Sequence, residues 1–212
     1  MVAWAFWNLF LAALPVAFAV PLARRLSSPR ASSRIALAGL ASVWLLFLPN
    51  ATYLVTEWRH FLFDSQWRQL TAHGATSRDA MFASAAWALA FAACGMAGLL
   101  LFTLAVRPVH RALSSRGFPV RALAPALFLL CSLGTYLGLI YRLNSWQGLS
   151  NPGRVLHAVA DTLSRPRSVL AIVVFAAVLA ASYVGLGIWV DRGTEWLRGV
   201  RARRASASGR DT

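Results

Sequence analysis

The sequence predicts an all-α polytopic membrane protein, a bundle of about five transmembrane helices with a short interfacial helix on the outer face. Three observations lead there. Hydrophobic residues make up 58% of the 212-residue chain, and mean hydropathy is +0.57. Only 13% of residues are charged, against about 25% in soluble domains. Apolar runs of about 20 residues recur along the chain, long enough as helices to cross a hydrocarbon core of roughly 30 Å. Helices suit these lengths because backbone groups in lipid must find their partners within the segment.

The first span is read at about 2–22, ended by Pro21 and the pair Arg24 and Arg25. Ala17–Ala19 resembles a signal cleavage site, but no basic residue precedes the run and it is long for a signal, so the helix is expected to be retained. The second span covers about 35–55. The third, about 79–106, is long enough to tilt. The fourth and fifth cover about 121–141 and 168–190. Residues 1–198 thus form one integral membrane domain. Residues 199–212, basic and rich in small residues, read as a disordered cytoplasmic tail.

All 21 basic residues are arginine, and the net charge is +14. Nucleic-acid binding is excluded because the arginines sit in short loops between apolar runs, where membrane topology requires them. Fourteen fall on one side of the predicted bundle and seven on the other. The positive-inside rule places the fourteen in the cytoplasm, with the N-terminus outside, the C-terminus inside and the chain in a cytoplasmic membrane. The expected partners are the lipid bilayer and anionic headgroups at the cytoplasmic arginines. Cys94 and Cys131 both lie in apolar runs and read as small hydrophobes rather than a disulfide or a zinc site. The sequence carries no repeat, no Gly-rich phosphate loop, and no GxSxG or HExxH motif. No cofactor is assigned.

The two outer loops concentrate the chemistry. Three of the four histidines (His60, His73 and His157) and four of the seven acids (Glu57, Asp64, Asp79 and Asp161) lie in them or at their edges. In "LFLPNATYLVTEWRHF", Pro49 lacks an N–H, frees a carbonyl and disfavours helix at Leu48. Two readings are open: a simple kink with Asn50 bonded to a neighbouring helix, or a broken helix lining a polar cavity. The "NAT" sequon at Asn50–Thr52 abuts the apolar run too closely to be a glycosylation site. Glu57, His60 and Asp64 share one face if the helix resumes. Glu-x-x-His is a metal-ligand spacing on helices, so Glu57 and His60 are candidate metal ligands, with Asp79, Asn144 or water completing the set. The plainer reading is a carboxylate–histidine hydrogen bond.

The fourth span ends in "GTYLGLIYRLNSWQGLSNPGRVLHAVADTL". Gly134 and Gly138 form a G-x-x-x-G pair that permits close helix packing. Arg142, Asn144, Ser145 and Trp146 offer cation, amide and indole donors within five residues, a set suited to a phosphate or carboxylate. Snorkelling by Arg142 and a belt role for Trp146 explain either residue alone. Asn151 and Pro152 read as N-cap and first residue of a short helix. Its stripe of Val155, Leu156, Val159 and Leu163 would lie opposite Arg154, His157 and Asp161.

Together, "LFLPNATYLVTEWRHF", Asp79 and "GTYLGLIYRLNSWQGLSNP" resemble the DUF1361 family, bacterial multi-span membrane proteins of unknown function. The matching positions are Pro49, Asn50, Ala51, Tyr53, Thr56, His60, Gly134, Gly138, Arg142, Asn144, Ser145 and Trp146. Glu57 stands for the family aspartate. Leu139 and Gln147 depart from an expected arginine and aspartate, removing two charges. The resemblance implies no known activity.

These readings place Asn50, Tyr53, Glu57, His60, Asp79, Arg142, Asn144 and Trp146 in one polar cluster at the outer interface, with Glu57 and Arg142 expected to pair. Three function classes follow. One is a protein that binds a polar or lipid-headgroup ligand. Another is a membrane enzyme, such as a metal-dependent hydrolase. The last is a structural protein whose cluster only locks helices together.

Overall fold

The computed structural model describes residues 2–28, 33–57 and 77–208. Seven α-helices and one 3₁₀ turn account for nearly all of them: α1 (Val2–Ser27), α2 (Arg34–Tyr53) with the 3₁₀ turn Leu54–Glu57, α3 (Arg78–Ser114), α4 (Val120–Ile140), α5 (Gln147–Ser150), α6 (Pro152–Leu163) and α7 (Pro166–Ser208). Five of these helices are long and apolar enough to cross a membrane, and they coincide with the five expected spans. Their contacts close a ring, α1–α2–α4–α7–α3, with α2 and α3 also touching across it.

The core is made by one face of each helix. Leu22, Leu48, Leu54, Phe102 and Leu179 are fully buried at its centre. Phe128 sits between Phe102 and Tyr183 in tilted ring contacts, with centroids 5.8 and 5.5 Å away. The Trp44 indole donates to the Ala105 carbonyl at 3.1 Å and ties α2 to α3. The opposite faces carry exposed bulk, such as Leu170, Val174, Val184 and Trp189 on α7. An apolar surface on that scale requires lipid rather than water around it.

Several helices outrun their expected ends. α1 continues through Pro15 and Pro21 to Ser27, because transmembrane helices tolerate proline where packing meets the freed groups. Pro49 likewise does not stop α2, which tightens to a 3₁₀ turn only at Leu54. Side chains bond the carbonyls around the proline: Asn50 donates to Phe47 at 3.1 Å, and the Thr52 hydroxyl donates to Pro49 at 3.0 Å. α3 extends through Pro108 to Ser114 and closes in a turn at Gly117, whose φ of 81° suits glycine. α7 is helical as far as Ser208 where a disordered tail was expected from 199; Arg and Ala, which dominate that stretch, are strong helix formers.

The two ends of the bundle are defined by their contacts. At one end lie the start of α1, the end of α2, the end of α4 and the helices α5 and α6. At the other, Arg107 and Arg111 of α3 reach Asp191 of α7, and Arg116 donates to the Ser28 carbonyl.

Candidate functional site

At the first end the two sequence motifs meet. The Asn50 amide of α2 donates to the Ser145 hydroxyl, in the segment after α4, at 3.0 Å. Two residues on, the Thr52 hydroxyl lies 2.6 Å from that of Thr135, and both are fully buried. This closeness comes from glycine. A Cβ on Gly134 would lie 2.7 Å from the Pro49 ring, closer than real side chains approach. Gly138 is less constrained, with the Tyr53 ring at 3.5 Å from such an atom. On the other side of α2, a Cβ on Gly98 of α3 would meet the Ala51 carbonyl oxygen at 2.6 Å.

Helix α4 ends at Ile140, with Tyr141 as its C-cap. Arg142 then adopts the left-handed conformation, φ 53°, and returns the chain so that the Leu143 N–H points to the Leu137 carbonyl at 3.4 Å. Glycine occupies such positions without strain, whereas other residues carry a cost of about 1 kcal/mol. The turn directs the following segment over α2. Gln147 supports it: its side-chain oxygen accepts the Asn144 N–H at 2.8 Å.

Between α1, α2, α4 and this segment lies a groove of about 740 Å³. Its deeper walls are apolar, built from side chains such as Leu11, Val43, Leu46 and Leu133. Its mouth is polar. Asn50, Tyr53, Arg142, Asn144 and Trp146, five residues of the expected cluster, all line it. Arg142 and Asn144 are exposed, and the Arg142 guanidinium forms no ion pair or hydrogen bond among the described residues.

The other three expected members divide. Glu57 is 2% exposed and accepts a hydrogen bond from the Asn8 amide of α1 at 3.2 Å. It does not pair with Arg142: the carboxylate points into the bundle at the 3₁₀ turn, while Arg142 stands at the rim. Asp79 is exposed at the start of α3. It lies nineteen residues, about 28 Å of helix, from Gly98, the α3 residue that touches Ala51 and Leu54. It is not part of the groove. His60 lies outside the described residues, as do Asp64 and His73. Among the described residues no three His, Cys, Asp or Glu side chains group as metal ligands.

The short helix α6 begins as expected, with the Asn151 side chain accepting the Arg154 N–H at 3.2 Å and Pro152 in the first turn. Its inward face differs from the expected stripe. Ala158 and Thr162 are buried, whereas Leu156 and Leu163 are 68% and 57% exposed. Asp161 does not stand on a free polar face either. It accepts the Tyr141 hydroxyl and pairs with Arg165 at 2.9 Å. The Tyr141 hydrogen bond, then Arg165, holds the Asp161 carboxyl below the usual carboxylate range. The same bond pushes the Tyr141 hydroxyl up.

Sequence reasoning missed Asn8, Gly98 and the Thr52–Thr135 pair. The signal for Asn8 was available: it is the lone amide in the apolar run before Arg24. Nothing in the local sequence marks which threonines face each other.

Fold and groove together define a multi-pass helical membrane protein with an amphipathic cleft at one end. The chain belongs to the family described as "Protein of unknown function (DUF1361)", which matches residues 7–181. No curated protein and no solved structure matches it.

Proposed function

We propose that the protein binds the polar group of a ligand at the mouth of this groove. The observation that carries the reading is the convergence of the two motif segments through Asn50 and Ser145 around an exposed Arg142 that has no side-chain partner among the described residues. An arginine so placed is a donor fork for phosphate or carboxylate. The amide of Asn144 and the indole of Trp146 stand beside it as further donors, whereas both Asn50 side-chain N–H groups are engaged by Phe47 and Ser145.

The arginine count favours a cytoplasmic membrane with the groove facing outward. At the arginine-rich end, exposed Arg24, Arg25, Arg34 and Arg121 suit anionic headgroups, whereas Arg107 and Arg111 are already engaged by Asp191.

A second reading is favoured by the Asn50–Ser145 and Thr52–Thr135 bonds: the cluster only locks α2 to α4. Melting of the purified protein against a panel of soluble phosphates, carboxylates and membrane lipids separates the two. Ligand binding predicts that an anionic probe raises the melting temperature of the wild type and not of Arg142→Gln. No response to any probe, or an equal response in the variant, leaves the lock as the function of the cluster. For orientation, Asn144→Cys should react with a membrane-impermeant maleimide added outside intact cells. Labelling only after lysis would reverse the topology.

A further inference from the structure

We propose that the groove is a single-leaflet lipid site: one acyl chain of an anionic membrane lipid lies in the groove bounded by α1, α2 and α4, with its headgroup on Arg142. The proposal rests on the ligand-binding reading above and names its ligand class.

Depth carries the first part. The groove follows α2 from Tyr53 at the mouth down to Ser42. Eleven residues of helix are about 16 Å, against roughly 15 Å for half of a hydrocarbon core. The groove therefore starts at an interface and ends near the midplane, the depth over which one leaflet's chains extend. A wholly water-soluble ligand would have no use for that apolar length.

The distribution of polarity carries the second part. Below Asn50 the walls offer Val43, Leu46, Leu130 and Leu133, with Ser42 at the far end. Polar side chains otherwise gather at the mouth, as the chemistry of a headgroup-bearing chain requires. Charge selects among lipids. Among the described residues, Arg142 is the cation that lines the groove, and no carboxylate shares the lining with it. A zwitterionic headgroup would bring its own cation to the same place. A phosphodiester without one matches the guanidinium alone. The backbone geometry at Arg142 would be met with less strain by glycine, so the turn itself does not call for this side chain.

Native mass spectrometry of the full chain, released from micelles doped with phosphatidylglycerol or with phosphatidylcholine of the same chains, tests the proposal. One phosphatidylglycerol should be retained, about tenfold more tightly than phosphatidylcholine, the equivalent of one charge-assisted hydrogen bond. Arg142→Gln should erase the preference and Arg142→Lys largely restore it. Leu133→Trp, which fills the apolar part of the groove, should lower retention of both lipids. Melting temperatures close to wild type would show that the variants remain folded. Glycerol 3-phosphate, the headgroup fragment without a chain, should bind far more weakly than the lipid. If it binds as tightly, the polar-ligand reading stands and the lipid assignment fails. Equal retention of the two lipids, or unchanged retention in Leu133→Trp, also overturns the assignment. If neither lipid nor headgroup fragment binds, the lipid assignment fails, and the polar-ligand reading falls with it only if the phosphates and carboxylates of the melting panel also fail to bind.

Discussion

The two ends of the bundle solve the same problem with different chemistry. At the arginine-rich end, a single carboxylate, Asp191, is held by Arg107 and Arg111 from successive turns of α3. Arg107 reaches it through a notch at Gly187, where a Cβ would collide with the guanidinium. His110 and Tyr183 are hydrogen-bonded beside it. At the groove end, α2 and α4 are joined by neutral amides and hydroxyls and by a glycine pressed against a proline ring, and α2 meets α3 through a glycine at a carbonyl. Glu57 and Asp161, carboxylates at that end, are held by Asn8 and by Tyr141 with Arg165, respectively. The end with more arginines commits two of them to structure. The end with fewer leaves Arg142 at the rim of a cleft. The total charge of a loop therefore says little about which cation is available to a ligand.

The sharpest way to break the groove end is Gly98→Val. The new side chain would drive into the Ala51 carbonyl and Leu54, at 2.6 and 2.7 Å, and should cost about 3 kcal/mol, read as a drop in the unfolding midpoint in mixed micelles. At the opposite end, Asp191→Asn should cost about 1–2 kcal/mol, less than a fully buried pair because its side chain and that of Arg107 retain 25% and 20% exposure. Raising the salt concentration should narrow that difference by screening the wild-type clamp, and should leave the effect of Gly98→Val unchanged.

The glycine pair on α4 sharpens the comparison within the groove end. Gly134→Ala should cost about 1–2 kcal/mol, since the Pro49 ring at 2.7 Å has no rotamer to yield. Gly138→Ala, in ordinary contact at 3.5 Å, should stay within about 0.5 kcal/mol of wild type. Equal effects would mean that α2 and α4 pack differently from this arrangement.

The smallest effect is expected at the interface. Folding favours ionised Asp161, so its contribution is present above the ordinary carboxylate pKa of about 4 and is lost as pH falls through the lower folded value. A carboxyl titration by NMR should place the Asp161 midpoint below the usual range, and Tyr141→Phe should move it back up.

The five spans were legible because the membrane imposes their length and composition. The shared end of the two motifs was legible because five alternating helices put the end of α2 and the end of α4 on one side. The Asn151 cap was legible because its chemistry is local. What escaped was pairwise. Glu57 carries the only charge near the end of α2 apart from Arg59 and His60, yet it turned toward Asn8, whose distance in sequence hides the contact. Asp79 sits next to an apolar run but begins a 37-residue helix, about 55 Å long, so its loop position did not translate into nearness. The G-x-x-x-G pattern located the contact face of α4 without showing that only Gly134 is tight.

Everything proposed for the groove depends on α2 reaching the segment after α4. Cysteines at 50 and 145, in a chain with Cys94→Ala and Cys131→Ala, test this directly under mild oxidation in membranes. With the native side chains 3.0 Å apart, Asn50→Cys and Ser145→Cys should form a rapid, intramolecular, reductant-reversible cross-link. The pair Asp79→Cys and Ser145→Cys should not. Failure of the first pair to cross-link, or equally fast cross-linking of the second, would contradict the arrangement on which the groove is built.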